Sequence, residues 1–342
     1  MWIAGFKWMF LIIGTAIGAG YASGREIWQF FGYESELALI IFMLLFIVCC
    51  SVLLHISYTF RTSDYVPLLQ IIVGKRLSVV YDVMIFLYLF TISIVMIAGS
   101  GVTGQAFQLS YWWGVALIVM LLILTFMRGI NGVVVINQFV SPFLIIGLLY
   151  ALGQFIFDFN VPLVSDWKAQ SNWLAAFPFV ALNILPLIAV LGAIGHKVKS
   201  KGEIYVASIS SGLVLGVVSF MYNSSLVQIA DEVLVYEMPL FAILQHYPMN
   251  LFIFMSIMLW LAIFTAAACS ILGLITRLQA RIPLKMWIIA TLLIACMIPL
   301  TLFGFSTLVS VTYPIYGFLN LYVLIRLIYY PFAKRTPHKP VK

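Results

Sequence analysis

Residues 14–26 read Gly14-Thr15-Ala16-Ile17-Gly18-Ala19-Gly20-Tyr21-Ala22-Ser23-Gly24-Arg25-Glu26. Four glycines fall within eleven residues, and an adjacent Arg-Glu pair follows. The stretch lies inside the first long apolar run, where a helix that only had to cross lipid has no use for it. Each glycine loosens helical backbone by roughly 1 kcal/mol relative to alanine. An ionisable group at membrane depth costs about 3 kcal/mol or more. Irregular backbone survives there only where protein buries it or it lines a wet cavity. The stretch therefore predicts a discontinuous helix whose exposed backbone groups bind something, as in secondary transporters.

Composition sets the class. Hydrophobic residues make up 64% of the 342-residue chain and charged residues 8%, and the mean hydropathy is +1.13. That is the profile of a polytopic membrane protein and leaves little sequence for a soluble domain. Cys49, Cys50, Cys269 and Cys296 all fall in apolar runs and read as small core residues rather than disulfides. No Cys/His spacing suggests a metal site, and no resident cofactor is expected. Only Lys7 precedes the first long run, which reads as a retained span rather than a signal peptide.

Apolar runs of about 20 residues match a hydrocarbon core of about 30 Å. They predict ten spans, at 7–32, 36–60, 78–108, 112–128, 134–157, 172–196, 202–224, 249–276, 284–303 and 306–330. Trp112, Trp113, Trp167, Trp173, Trp287, Tyr329 and Tyr330 sit near span ends, as an aromatic belt does. Loop charge sets the orientation. Lys7, Arg61, Lys75, Arg76, Arg128, Lys197, Lys199, Lys201, Arg277, Arg281, Lys285 and the 334–342 tail lie on one side. The opposite loops hold a single cation, Lys168, and the acids Glu34, Glu36, Asp158, Asp166, Asp231, Glu232 and Glu237. The positive-inside rule then places both termini in the cytoplasm, and the even span count agrees. The net charge of +7 thus marks a membrane side and does not point to nucleic acid. The expected partners are the lipid bilayer and a small solute.

Residues 1–332 form one transmembrane domain, with a basic cytoplasmic tail at 333–342. The domain divides into halves of five spans, about 7–157 and 172–332, and an odd number of crossings gives the halves opposite topology. The first span of each half is interrupted: span 1 by its glycines, span 6 by Pro178, Asn183, Pro186, Gly192 and Gly195. Paired interruptions in inverted halves point to a substrate site at the midplane. Gly14/Gly18, Gly20/Gly24 and Gly212/Gly216 also satisfy the small-residue spacing that lets helices pack closely.

In a broken helix the outer half presents free N–H groups and the inner half free carbonyls. Gly18 and Gly20 open the break. Amides near Ala22, Ser23 and Gly24 would hold a substrate carboxylate, and carbonyls near Ile17 and Gly20 a cation. Tyr21 would cover the ligand, with Tyr88 of span 3 and Asn183 and Pro186 of span 6 completing the substrate site. Glu26 either meets a substrate amine or a proton, or joins Arg25 as a gate on the outer side. Thr265 and Ser270, in a small-residue stretch of span 8, either pack or help coordinate Na⁺ beside the span 1 carbonyls. Ser93, Gln105, Asn137 and Gln138 are weaker polar signals, and Asp82 reads as structural. The 225–248 loop is long enough to form a re-entrant or lid helix. Enzyme signatures are absent: Gly18-Ala19-Gly20 with Gly24 is not a dinucleotide fingerprint, and Gly20-Tyr21-Ala22-Ser23-Gly24 is not a nucleophile elbow.

Gly14 to Gly20 resembles the first-span signature of the amino acid–polyamine–organocation superfamily. The longer string through Ala22-Ser23-Gly24-Arg25-Glu26-Ile27 resembles the YkvI-like bacterial membrane proteins. The resemblance implies an all-α LeuT-type fold of ten helices in a five-plus-five inverted repeat, discontinuous at helices 1 and 6. It implies alternating-access transport of an amino acid or organic amine across the bacterial plasma membrane, with Na⁺ or H⁺ as coupling ion. Ile17, Gly20, Thr265 and Ser270 match the region of the superfamily's common sodium site, although Cys269 stands where sodium-coupled members often carry a hydroxyl. The lysine that some proton-coupled relatives place in span 5 is missing. Spore-germination proteins of the same superfamily imply the alternative of a transporter-like receptor subunit.

Overall fold

The computed structural model describes residues 2–33, 35–128, 131–162, 170–279 and 282–332, and the side chains of 131–139 are not among those described. Glu34, Asp166, Trp167, Lys168, Arg281, the 333–342 tail and the side chains of Asn137 and Gln138 lie outside this set. The described residues are helical, with no strand among them.

The first crossing is assembled from three pieces: α1 (Trp2–Ala16), α2 (Ala19–Ala22) and α3 (Arg25–Phe30). Then follow α4 (Glu36–Phe60), the short α5 (Tyr65–Val73), α6 (Lys75–Gln105), α7 (Tyr111–Arg128) and α8 (Asn131–Asp158). The second half runs through α9 (Ala176–Ile194), α10 (Lys201–Gln228), the short α11 (Ala230–Val233) and α12 (Pro239–Leu244), and α13 (Met249–Gln279). It ends with α14 (Met286–Met297), α15 (Phe305–Leu319) and α16 (Leu321–Tyr329). Among the described residues nine helices are long and apolar enough to cross a membrane. The interrupted first helix makes the tenth crossing. The protein is a multi-pass membrane protein.

The inverted repeat is visible in length and in packing. The third helix of each half has 31 residues and the fourth crossing 18. Each half places a short helix after its second crossing, α5 in the first and α12 in the second. Span 1 packs on span 7 through α1 and α10, and the equivalent pair, span 6 on span 2, packs through α9 and α4. The third helices, α6 and α13, pack on each other. With the loop charges as guide, the Lys201 end of the bundle is termed inner and the Glu237 end outer.

Local chemistry sets the ends. Ser200 and Glu203 form a capping box at the start of α10: the Glu203 N–H donates to Ser200 Oγ at 3.4 Å, and Ser200 Oγ donates to Glu203 Oε1 at 3.3 Å. Glu203 also accepts from Trp8 Nε1 at 3.1 Å, which ties the inner part of span 1 to span 7. Gly212 and Gly216 pack on span 2 within the chain: a methyl group on Gly216 would lie 2.7 Å from Met43 Cγ.

One expectation is corrected. Helix 6 is not discontinuous, because α9 runs unbroken with Pro186 inside it. Proline removes one N–H donor and crowds one turn, and side chains bond to carbonyls in the turns beside it. Asn183 Nδ2 donates to the Phe179 carbonyl at 2.9 Å. Asn320 Nδ2, from the joint between α15 and α16, donates to the Ala181 carbonyl. Gly192 and Gly195 serve close approach instead: a methyl group on Gly192 would lie 2.7 Å from Tyr65 Cα, and one on Gly195 would lie 2.5 Å from Thr62 Oγ1.

Candidate functional site

The break in span 1 is the expected one, and its backbone shows which groups it frees. The Gly18 amide turns to the Ala16 carbonyl at 3.1 Å, out of helical register. The Ile17 carbonyl has no donor among the described residues. The Ala22, Ser23 and Gly24 amides donate to the carbonyls of Gly18, Ala19 and Tyr21 at 2.9, 3.0 and 3.0 Å. These three amides, expected to hold a substrate carboxylate, are therefore spent inside the chain. Gly24 sits at φ +79°, and a methyl group on it would lie 2.7 Å from Tyr222 Cε1. Ser23 is fully buried, and its Oγ donates to the Gly20 carbonyl at 3.2 Å.

Three residues of α10 hold the break. Tyr222 Oη donates to the Ala22 carbonyl at 2.7 Å. Tyr21 was expected over a ligand, but it turns the other way and is fully buried. Its Oη donates to the Leu215 carbonyl at 2.7 Å and lies 2.8 Å from Ser219 Oγ. Two polar groups of span 7 satisfy that hydroxyl better than an apolar chamber would.

Glu26 takes the place expected of Tyr21. Its carboxyl folds back over the break: a methyl group on Gly20 would lie 2.6 Å from Glu26 Cγ and 2.9 Å from its Cδ. Glu26 is 4% exposed, and no Lys, Arg or His among the described residues lies within ion-pair distance of it. The Tyr21 backbone amide faces it, and the tyrosines Tyr21, Tyr88 and Tyr313 lie within electrostatic reach. Tyr88 packs edge-on against Tyr316 with ring centroids 5.2 Å apart. The Tyr313 hydroxyl is buried and has no hydrogen-bond partner among the described residues. Gly18 faces span 3, where Met96 Cε would lie 3.0 Å from an added methyl group.

Arg25 and Glu26, expected as a gate, make no ion pair with each other among the described residues, and only Arg25 lines the outer side. Arg25 lines an outer chamber of about 300 Å³ with Trp28, Gln29, Tyr236, Glu237 and Ser306. Glu237 is the acid within electrostatic reach of Arg25, and it accepts from the Ser306 amide at 3.3 Å. The Leu240 amide at the start of α12 donates to the Ser23 carbonyl in the break at 2.8 Å. The 225–248 loop, expected to form a re-entrant or lid helix, carries the short buried helix α12, which is bonded to span 1.

The remaining candidates divide. Asn183 is buried and serves its own helix, and Pro186 lies three residues further along it. The α13 helix runs beside α2. Thr265 on it is buried and donates to the Ala262 carbonyl at 3.1 Å, while Ser270 is half-buried. Residues five apart on a helix lie about 140° apart around its axis, so Thr265 and Ser270 do not converge on one ion. Sequence reasoning passed over Tyr222, Tyr313, Ser219 and Glu237 as site residues. The only signal the two tyrosines offered was a polar tip inside an apolar run.

No family model matches the chain. The Bacillus subtilis protein YyaD is 44% identical over 335 residues, which is 98% of this chain and 99% of that protein. The Bacillus subtilis membrane protein YkvI is 25% identical over 342 residues, 96% of each. Among solved structures, the Eremococcus coleocola manganese transporter matches with a TM-score of 0.62 at 14% identity, covering 95% of this chain and 78% of that one. The inward-facing form of Mhp1 matches with a TM-score of 0.60 at 13% identity, covering 94% and 75%. At such identities the likeness speaks for the fold. The protein belongs to the family of YyaD and YkvI, bacterial membrane proteins with the LeuT-type fold.

Proposed function

We propose that this protein is a secondary active transporter of the bacterial plasma membrane, with both termini cytoplasmic. It moves a small solute, an amino acid or organic amine, by alternating access, with Na⁺ or H⁺ as coupling ion. The observation that carries the reading is the bond between the Leu240 amide and the Ser23 carbonyl. It fastens a lid to the interrupted first helix, so that opening the lid and rearranging the break are a single motion. The solved structures of like fold include a manganese transporter, which fits a transport role.

Purified protein reconstituted in liposomes tests this. Saturable uptake of a labelled amino acid or amine, driven by an imposed Na⁺ or H⁺ gradient and lost in Gly24→Ala, is the expected result. Ligand binding without flux in the same vesicles would instead establish the receptor reading.

A further inference from the structure

The carboxyl of Glu26 is the one acid buried in the break, and no protein cation meets it. It is 4% exposed, and no Lys, Arg or His among the described residues is within ion-pair distance. Its neighbour Arg25 points into the outer chamber. A charge held without a partner in a membrane interior costs several kcal/mol, so the carboxyl either takes up a proton or meets a cation from outside the chain. The Tyr21 amide supplies Glu26 one donor, and further groups around the break can accept. The Ile17 carbonyl is an acceptor with no donor among the described residues. Tyr88 and Tyr313 lie within electrostatic reach of Glu26, and the Tyr313 hydroxyl is buried with no hydrogen-bond partner among the described residues. Carboxylate, free carbonyl and aromatic rings are together the recognition chemistry of an ammonium, which supplies several N–H donors and a charge that attracts ring faces.

We infer that Glu26 binds the ammonium group of an organic amine at the span 1 break, and that the site rejects substrates recognised through a carboxylate. Two observations count against the opposite polarity. The amides that would receive a carboxylate, those of Ala22, Ser23 and Gly24, are already bonded. The space over Gly20 is filled by a carboxyl of the chain's own. A transition-metal ion fits poorly, because no group of three His, Cys, Asp or Glu side chains occurs among the described residues. The inference rests on the same site as the transporter reading and names its substrate class.

The test separates binding from transport. Thermal stabilisation of the purified protein is measured with propylamine, putrescine, propionate and NaCl, for wild type, Glu26→Asp and Glu26→Gln. The expected result is saturable stabilisation by the amines only, weakened by at least about tenfold in Glu26→Gln and retained in part by Glu26→Asp. If Glu26→Gln fails to fold, carbodiimide labelling of Glu26 in the wild type replaces it, and the amines must protect against labelling. Stabilisation by propionate, by Na⁺ alone, or by no amine overturns the inference. Amine binding without flux would leave it standing and remove the transporter reading. Flux of a carboxylate without amine binding would do the reverse.

Discussion

The Tyr222 hydroxyl reaches from span 7 to the Ala22 carbonyl at 2.7 Å, and the ring of the same residue covers Gly24. One side chain from the second repeat thus holds both the freed carbonyl and the left-handed turn of the broken helix. Replacing it with phenylalanine keeps the ring and deletes the donor. The Ala22 carbonyl is then left buried, which costs about 1–3 kcal/mol. The melting temperature of Tyr222→Phe should fall accordingly, while Tyr205→Phe on the exposed face of the same helix should leave it unchanged.

Gly24→Ala meets two penalties. A residue with a Cβ in the left-handed region costs about 1–2 kcal/mol, and the added methyl group would press on the Tyr222 ring. The second penalty depends on Tyr222 and the first does not. In a double-mutant cycle with Tyr222→Ala, the cost of Gly24→Ala should therefore shrink but not vanish. Strict additivity of the two melting-temperature losses would refute the steric part.

At the inner end, Arg277 pairs with Asp82. Arg277 Nη1 donates to Tyr65 Oη at 2.7 Å, and Tyr65 Oη donates to Asp82 Oδ1 at 2.7 Å. The three groups join α5, α6 and α13, so the inner short helix is latched as the outer one is. The pair is 28% and 31% exposed, and partly solvated ion pairs contribute about 1 kcal/mol or less. Arg277→Ala should change the melting temperature little and should raise amide hydrogen exchange across Tyr65–Val73. Unchanged exchange there would remove the latch role.

Accessibility checks the orientation. With the four native cysteines replaced, Ser306→Cys in the outer chamber should react with a membrane-impermeant maleimide added to intact cells. Lys201→Cys, at the start of α10, should react only after the membrane is opened. The reverse pattern would invert the topology read from loop charge.

Much of this was legible in the chain. The class follows from composition because hydropathy is additive and needs no contacts. The break at Gly18–Gly24 was readable because backbone freedom is a property of each residue itself. The lid at Pro239–Leu244 followed from loop length. Helix 6 was misjudged for a related reason: a proline announces the donor it lacks, but Asn320, which supports the neighbouring Ala181 carbonyl, is far away in sequence.

The sequence by itself determined a ten-helix membrane bundle in two inverted halves, with its first helix interrupted at a known place. Tertiary structure alone decided what fills that interruption. Tyr21 leaves it because Ser219 and the Leu215 carbonyl, almost 200 residues on, satisfy its hydroxyl. Glu26 enters it because Gly20 presents no side chain to keep the carboxyl out. Which side chain turns into a break is settled by the partners that other helices bring, and a linear pattern of residue types carries no record of that meeting.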